Sequence, residues 1–191
     1  WNARRNLVEG KVKTPGIYTY IITSNIKGQV SEEQIRLTVS DKLAMPLPFM
    51  GWLSWNSIEG DVSEAIVKSV ADMFRANGLY QAGWNTVMMD DLWQARKRAD
   101  DGKPLPDPKR FPNGLRNVAD YVHAKGMKFG LYTDAANKTC AGAFGSYGYE
   151  RIDAEQYAQW NVDIVKCDYC HAPTERDSAI VRYRRLGDAF R

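Results

Sequence analysis

Val162-Asp163-Ile164-Val165-Lys166-Cys167-Asp168-Tyr169-Cys170 is the stretch that decides the fold. Val162, Ile164 and Val165 are β-branched, and the run lies between a helical pattern and a Pro-containing loop, so its first half is a short buried strand. Side chains of a strand repeat every two residues. Lys166, Asp168 and Cys170 therefore project to one side at the strand's far end. In a parallel sheet the C-terminal strand ends are where active sites are assembled, and an Asp beside a Lys stays ionised there. Asp168 is a candidate nucleophile, although a strand-end Asp taken alone is as often a cap on the following turn.

Three earlier stretches have the same form. Phe49-Met50-Gly51-Trp52-Leu53-Ser54-Trp55-Asn56 is an apolar strand running into a polar end. Trp84-Asn85-Thr86-Val87-Met88-Met89-Asp90-Asp91 is a second, ending in two acids, and Met127-Lys128-Phe129-Gly130-Leu131-Tyr132-Thr133-Asp134 is a third. Helices separate them. Ser63 caps one whose apolar positions Ile66, Val67, Val70, Met73 and Phe74 follow helical spacing and which stops at Asn77-Gly78. Others run from Leu115 to about Ala124, closed by Gly126, from Asp153 to Trp160, and from Pro173 to Arg191 with Ile180, Val181, Tyr183 and Leu186 inward.

Four βα units in succession imply a parallel sheet, either doubly wound or the first half of a (β/α)8 TIM barrel. No Gly-x-Gly-x-x-Gly follows the first strand, which argues against a dinucleotide fold. Polar or aromatic groups close all four strands: Trp55, Asp90 with Asp91, Tyr132 with Asp134, and Lys166 with Asp168. Function spread over every strand end is the habit of the barrel. The expected fold is α/β, with about four βα units forming the first half of a (β/α)8 barrel over residues 49–191.

Residues 1–42 follow a different period. Lys11-Val12-Lys13, Gly16 to Thr23 and Gln34 to Val39 alternate apolar with polar, and Asn25-Ile26-Lys27-Gly28 reads as the turn between the last two. These are expected to be the closing strands of an all-β, sandwich-like module. Residues 43–48, with Pro46 and Pro48, form a stiffened linker. The chain starts at Trp1 without Met or a signal peptide and stops at Arg191 inside a helical pattern, so it is expected to be a piece of something longer.

Composition narrows the function classes. The 191 residues carry a net charge of +3, 44% are hydrophobic, and no apolar run is long enough to span a bilayer. Neither nucleic acid nor membrane is an expected partner, since the local basic cluster Arg182, Arg184 and Arg185 alternates with apolar residues as a solvated helix face does. Cys140, Cys167 and Cys170 leave one odd thiol after any disulfide and make no zinc set. Cys167-x-x-Cys170 is a poor redox pair, because such a motif normally opens a helix and this one straddles a strand end. His123 and His171 are expected at the surface.

Several carboxylates with Trp and Tyr at one barrel mouth suit a sugar. Carboxylates accept hydrogen bonds from hydroxyls, and aromatic faces cover the C–H faces of the ring. The competing chemistry is a divalent metal on Asp90, Asp91 and Asp168. Lys166 weighs against it, since an ammonium disfavours a cation at the same spot but favours a carboxylate that must stay charged to attack an anomeric carbon. No phosphate cradle is visible, and neither metal nor cofactor is expected. Trp52, Trp84 and Trp160 read as packing residues, with Trp55, and less firmly Trp93, left for the site.

The motifs Pro48-Phe49-Met50-Gly51-Trp52-Leu53-Ser54-Trp55-Asn56, Asp90-Asp91-Leu92-Trp93, Arg110-Phe111-Pro112-Asn113-Gly114, Gly130-Leu131-Tyr132-Thr133-Asp134, Lys138-Thr139-Cys140 and Lys166-Cys167-Asp168-Tyr169-Cys170 fall in a telling order. In order and approximate spacing the sequence resembles the melibiase-type α-galactosidases, glycoside hydrolase family 27, over residues 46 to 191. Trp1-Asn2-Ala3, Leu7 to Gly10 and Pro15 to Tyr20 resemble the end of bacterial immunoglobulin-like spacer repeats.

The family resemblance implies a (β/α)8 barrel and a retaining exo-glycosidase for terminal α-linked galactose, working without a cofactor. It implies Asp168 as nucleophile, Asp90 and Asp91 as ligands of the far sugar hydroxyls, Trp55, Tyr132 and Lys166 as lining of the sugar site, and a Cys140–Cys170 disulfide at that site. Cys167 alternates to the opposite strand face and would be free. Leu92 stands where many members have a further Cys. The family's acid/base Asp matches none of the acids here, so it is expected outside this chain. A disulfide implies an oxidising compartment, hence a secreted or periplasmic bacterial protein, in which the sequon Asn137-Lys138-Thr139 would stay silent. Two alternatives remain open: a relative acting on β-L-arabinopyranose or α-N-acetylgalactosamine, and a non-catalytic carbohydrate-binding fragment.

Overall fold

A computed structural model describes residues 14–40 and 49–191. The expected strand Lys11-Val12-Lys13 and the linker 43–48 lie outside the described residues. The chain divides into two compact units at Pro48–Phe49, each with its own sheet.

The described residues of the first unit form a hairpin. Strands β1 (Gly16–Ile26) and β2 (Gln29–Val39) pair antiparallel from Ile26 opposite Gln29 to Gly16 opposite Val39. Lys27 and Gly28 both have positive φ, 53° and 84°, as a two-residue hairpin turn whose twist matches its strands requires. The Gly28 N–H donates to Asn25 Oδ1 at 3.0 Å. Both strands run further toward the turn than their apolar alternation suggests, because a two-residue turn fixes the register from the first pair and carries polar residues 29–33 with it. Ile17, Ile21, Ile26 and Val30 are exposed.

The second unit is a four-stranded parallel sheet in the order β3 (Gly51–Leu53), β4 (Thr86–Met88), β5 (Lys128–Asp134), β6 (Ile164–Asp168). Between and after the strands come α1 (Trp55–Ile58), α2 (Glu64–Ala76), α3 (Gly114–Ala124), α4 (Glu150–Gln159) and α5 (Arg176–Ala189). Ser63 Oγ accepts the Ile66 N–H and starts α2, and Gly78, at φ 75°, follows its end. Val67, Val70 and Phe74 of α2, and Leu115, Val118 and Val122 of α3, pack in one core with Val87, Phe129 and Leu131. Each such burial contributes about 1.5–3 kcal/mol.

Three expectations are corrected. Strands β3 and β4 are shorter than their apolar runs: Ser54 N–H still bonds Met88 O at 3.2 Å, but the chain then winds into α1. Met73 is 44% exposed, off the buried stripe of α2. In α5 only Leu186 is buried; Ile180 and Val181 are exposed, while Tyr183, though 42% exposed, stacks on Tyr169 and donates its hydroxyl to Cys167 O at 3.4 Å. Among the described residues β6 has a neighbour on one side only, so α5 has sheet beneath only part of its face.

The register positions the site. Leu53 pairs with Met88, Met88 with Gly130 and Gly130 with Ile164. Two residues on, Tyr132 pairs with Lys166, and Asp90 lies two residues beyond Met88 at the end of β4, whereas Trp55 already belongs to α1. One more step pairs Asp134 with Asp168.

Candidate active site

Lys166 is the centre of this end of the sheet. Its Nζ donates to Asp90 Oδ2 at 2.9 Å, lies 3.5 Å from Asp168 Oδ2, and sits 5.1 Å from the centre of the Tyr132 ring. Burial works against the ammonium, but the Asp90 hydrogen bond and the charges of Asp90 and Asp168 outweigh it and raise its pKa above the ordinary lysine value. Asp90 is buried. Without that partner it would be an uncompensated buried charge. Its backbone N–H donates to Ser54 Oγ at 2.9 Å, which ties the end of β4 to the end of β3.

Asp91 is held by backbone rather than by side chains. Its Oδ1 accepts the Leu92 N–H at 2.7 Å and its Oδ2 accepts the Ala141 N–H at 2.8 Å. Asp91's own N–H donates to Asp90 Oδ1 at 2.8 Å. Leu92 has φ 68°, a left-handed conformation costing a non-glycine residue about 1–2 kcal/mol. The chain thus reverses directly after the acid pair. The Leu92 side chain meets the open face of Gly60, where a Cβ would collide with it.

The disulfide joins Cys140 to Cys170, with Cα atoms 5.0 Å apart, and leaves Cys167 free. Cys140 Sγ lies 3.5 Å from Asp168 Oδ2 and accepts the Tyr132 hydroxyl at 3.3 Å. Burial, followed by the charges of Asp91 and Asp168, drives the Tyr132 phenol far above its ordinary pKa and keeps it neutral. Asp134, fully buried, accepts the Cys170 N–H at 2.9 Å and the Ala136 N–H at 2.8 Å. Burial outweighs these two donors and raises its pKa above the usual carboxylate range. On the far face of β6, burial pushes the Cys167 thiol up to about 12.

The described contacts therefore unite Asp90, Asp91, Tyr132, Cys140, Lys166, Asp168 and Cys170 in one constellation. Trp55 is half-buried at the same end, the first residue of α1, in a cleft of about 500 Å³ lined by residues 55–61. Trp93 is core: fully buried, it donates Nε1–H to Tyr132 O at 2.9 Å and packs edge-on against Phe144, Tyr157 and Trp160. His123, half-buried, meets Asp163 at 2.7 Å on the opposite end of β6, and His171 is exposed.

Sequence reading missed two contributors and the role of a third. Ser54 and Ala141 act through an oxygen and a backbone N–H that no motif reveals. Asp134 is visible as a strand-end acid, but its role in seating Cys170 depends on the pairing with β6.

A metal fits poorly. Asp134, Cys140 and Cys170 lie close enough to share an ion, yet both sulfurs are committed to the disulfide and offer no thiolate. Between Asp90 and Asp168 the Lys166 ammonium already occupies the cation's place. What the arrangement offers is one half-exposed carboxylate, Asp168, beside a fixed cation, with the buried carboxylates of Asp90, Asp91 and Asp134 around it.

Residues 47–190 match the Melibiase_2 family, described as Alpha galactosidase A. The chain belongs to this melibiase family. Alpha-galactosidase A of Cellvibrio japonicus is 46% identical over 123 residues, 64% of this chain and 30% of the relative. A structure of a candidate alpha-galactosidase from Bacteroides fragilis aligns over 95% of the chain and 38% of its own length, with 41% identity and a TM-score of 0.75. The Saccharomyces cerevisiae alpha-galactosidase solved with raffinose covers 75% of the chain and 32% of its own length, at 36% identity and a TM-score of 0.72. The chain spans about a third of the length of the curated relatives it matches.

Proposed function

We infer that this chain carries the nucleophile half of a retaining exo-glycosidase acting on terminal α-linked galactose. The observation that carries the reading is Lys166 Nζ held between Asp90 and Asp168, at 2.9 and 3.5 Å. Asp90 holds the ammonium in place, and the ammonium faces the Asp168 carboxylate.

Asp168 attacks the anomeric carbon as the bond to the leaving oxygen breaks, and a second carboxylic acid roughly 5 Å away gives that oxygen its proton. The covalent glycosyl ester is then hydrolysed by water, whose proton returns to the second residue. Asp90 and Asp91 accept hydroxyl hydrogens of the sugar, and Trp55 and Tyr132 line its ring. None of the neighbouring acids suits the proton donor: Asp90 is paired with Lys166, Asp91 accepts two backbone N–H groups, and Asp134 is buried behind two more. The donor is assigned to a residue outside residues 1–191.

The same reading makes 49–191 half of a (β/α)8 barrel, which the outer edges of β3 and β6, unpaired among the described residues, support. It makes residues 1–42 the tail of an immunoglobulin-like module, and the disulfide favours a secreted or periplasmic protein.

The test is the full-length protein against nitrophenyl α-galactoside, β-L-arabinopyranoside and α-N-acetylgalactosaminide. Fastest turnover of the galactoside is expected. Trapping with a slow fluorinated galactosyl donor, then peptide mass mapping, should label Asp168. A label elsewhere, or preference for another sugar, would overturn the respective part.

A further inference from the structure

Arg98 lies outside the acid cluster, in the loop between β4 and α3, yet its guanidinium is almost wholly enclosed, with 10% of the side chain exposed. It forms a forked pair with Asp153, itself fully buried, donating to both carboxylate oxygens. The same fork donates to Gly145 O at 2.7 Å and to Gly102 O at 3.0 Å. The rings of Phe144 and Tyr149 lie 4.6 and 4.2 Å from the guanidinium carbon. A buried Arg–carboxylate pair is weak support for stability alone. What it connects here suggests a second use.

Gly145 closes a small hairpin. Its N–H bonds Asn137 O, Lys138 bridges Phe144, and Thr139 N–H bonds Ala143 O at 2.9 Å. The tip of that hairpin carries Cys140, one end of the disulfide, and Ala141, whose N–H grips Asp91 Oδ2. Asp153 reaches the sheet as well: it accepts Ser146 Oγ at 2.6 Å, and Ser146 Oγ meets Thr133 Oγ1 in β5. One guanidinium from the loop after β4 thus fastens the base of the hairpin after β5, whose tip returns to the acid at the end of β4.

The geometry points to Arg98, with Asp153, as a positioning residue that sets the Ala141 N–H against Asp91 and so tunes the affinity of the sugar site. This rests on the galactosidase reading and goes beyond it, because Arg98 has no described contact with any of the acids that would meet the sugar. Lysine cannot replace it. A single ammonium cannot span Asp153, Gly145 and Gly102 in one plane.

The experiment uses the full-length protein and the Arg98→Lys variant. Amide exchange at Ala141, measured without sugar, should speed up, a result independent of any activity. With nitrophenyl α-galactoside, KM should rise about 3- to 30-fold, the scale of coupling through such networks, while kcat changes less than KM. That increase should vanish when Arg98→Lys is made in an Asp91→Asn background, since the two act through one contact. Unchanged Ala141 exchange, or a KM increase that persists undiminished beside Asp91→Asn, overturns the assignment. If Arg98→Lys does not fold, Tyr149→Leu removes an exposed ring from the guanidinium and leaves the ion pair intact. It should move Ala141 exchange and KM in the same direction by a smaller factor, and no movement in either overturns the proposal too. A wild-type protein inactive on galactoside would sink the galactosidase reading and leave the exchange result standing.

Discussion

Lys166 and Asp90, 76 residues apart in sequence, meet at 2.9 Å across the end of β5, the strand that separates theirs. The residue of β5 at that level is Tyr132, whose ring lies under the ammonium. A charge there would compete for Lys166, whereas an aromatic face lets it reach both Asp90 and Asp168.

Lys166→Met should therefore cost activity and stability together. Truncating one partner of a hydrogen-bonded charge pair costs about 2–5 kcal/mol where the pair is buried. Lys166 is 32% exposed, so we expect a stability loss of about 1–3 kcal/mol by urea titration. Its raised pKa fixes the pH window. The contribution is fully present below the unfolded value, about 10.4, and is lost as pH rises through the higher folded value. The wild-type advantage should be flat from about pH 6 to 9 and shrink only in stronger alkali. An advantage that disappears near neutrality would contradict the pairing.

Asp168→Asn should abolish turnover, because a neutral amide cannot supply the attacking carboxylate. Asp91→Asn leaves that carboxylate intact and weakens contacts made in ground and transition states alike, so KM should rise more than kcat falls. Steady-state kinetics on the full-length protein separates the two. Wild-type activity in Asp168→Asn would remove the nucleophile assignment.

Asp90, Tyr132 and Lys166 were legible as neighbours because strand alternation needs only the sequence, and a parallel sheet aligns strand ends; Trp55, already in α1, is outside that alternation. The contacts that orient these residues were not legible. Ser54, Ala141 and the Arg98 fork work through backbone groups or through a pairing 55 residues apart, and no local period encodes such partners. Helix α5 misled for a related reason: its apolar residues follow helical spacing, but spacing cannot say how much sheet lies beneath them.

The cysteines give a direct chemical check. With its pKa near 12, Cys167 in the folded protein at pH 8 should react with iodoacetamide about 10³-fold more slowly than an ordinary thiol, from the thiolate fractions alone. Denaturation without reductant should expose one alkylation site, Cys167. Two or more sites, or a mapped bond to Cys167, would contradict the Cys140–Cys170 pairing. That bond closes a separation of 30 residues, so Cys140→Ser should lower stability by about 3–4 kcal/mol on the chain-entropy account.

Residues 1–191 produced alone should associate. Ile180, Val181 and Tyr183 lie exposed on α5, at 42%, 52% and 42%, beside a strand with one unpaired edge among the described residues. Unpaired edges and apolar faces drive aggregation at micromolar concentration and above. Sedimentation at about 10 μM should show species heavier than a monomer, and Val181→Lys should reduce them. On the proposed placement of the general acid outside these residues, catalysis should suffer separately: an unactivated galactoside should lose a factor of about 10² to 10⁴. Nitrophenyl galactoside needs less protonation and is the fair substrate. If the isolated chain stayed monomeric and released nitrophenol at the full-length rate, both the half-barrel and the placement of the acid outside these residues would be wrong.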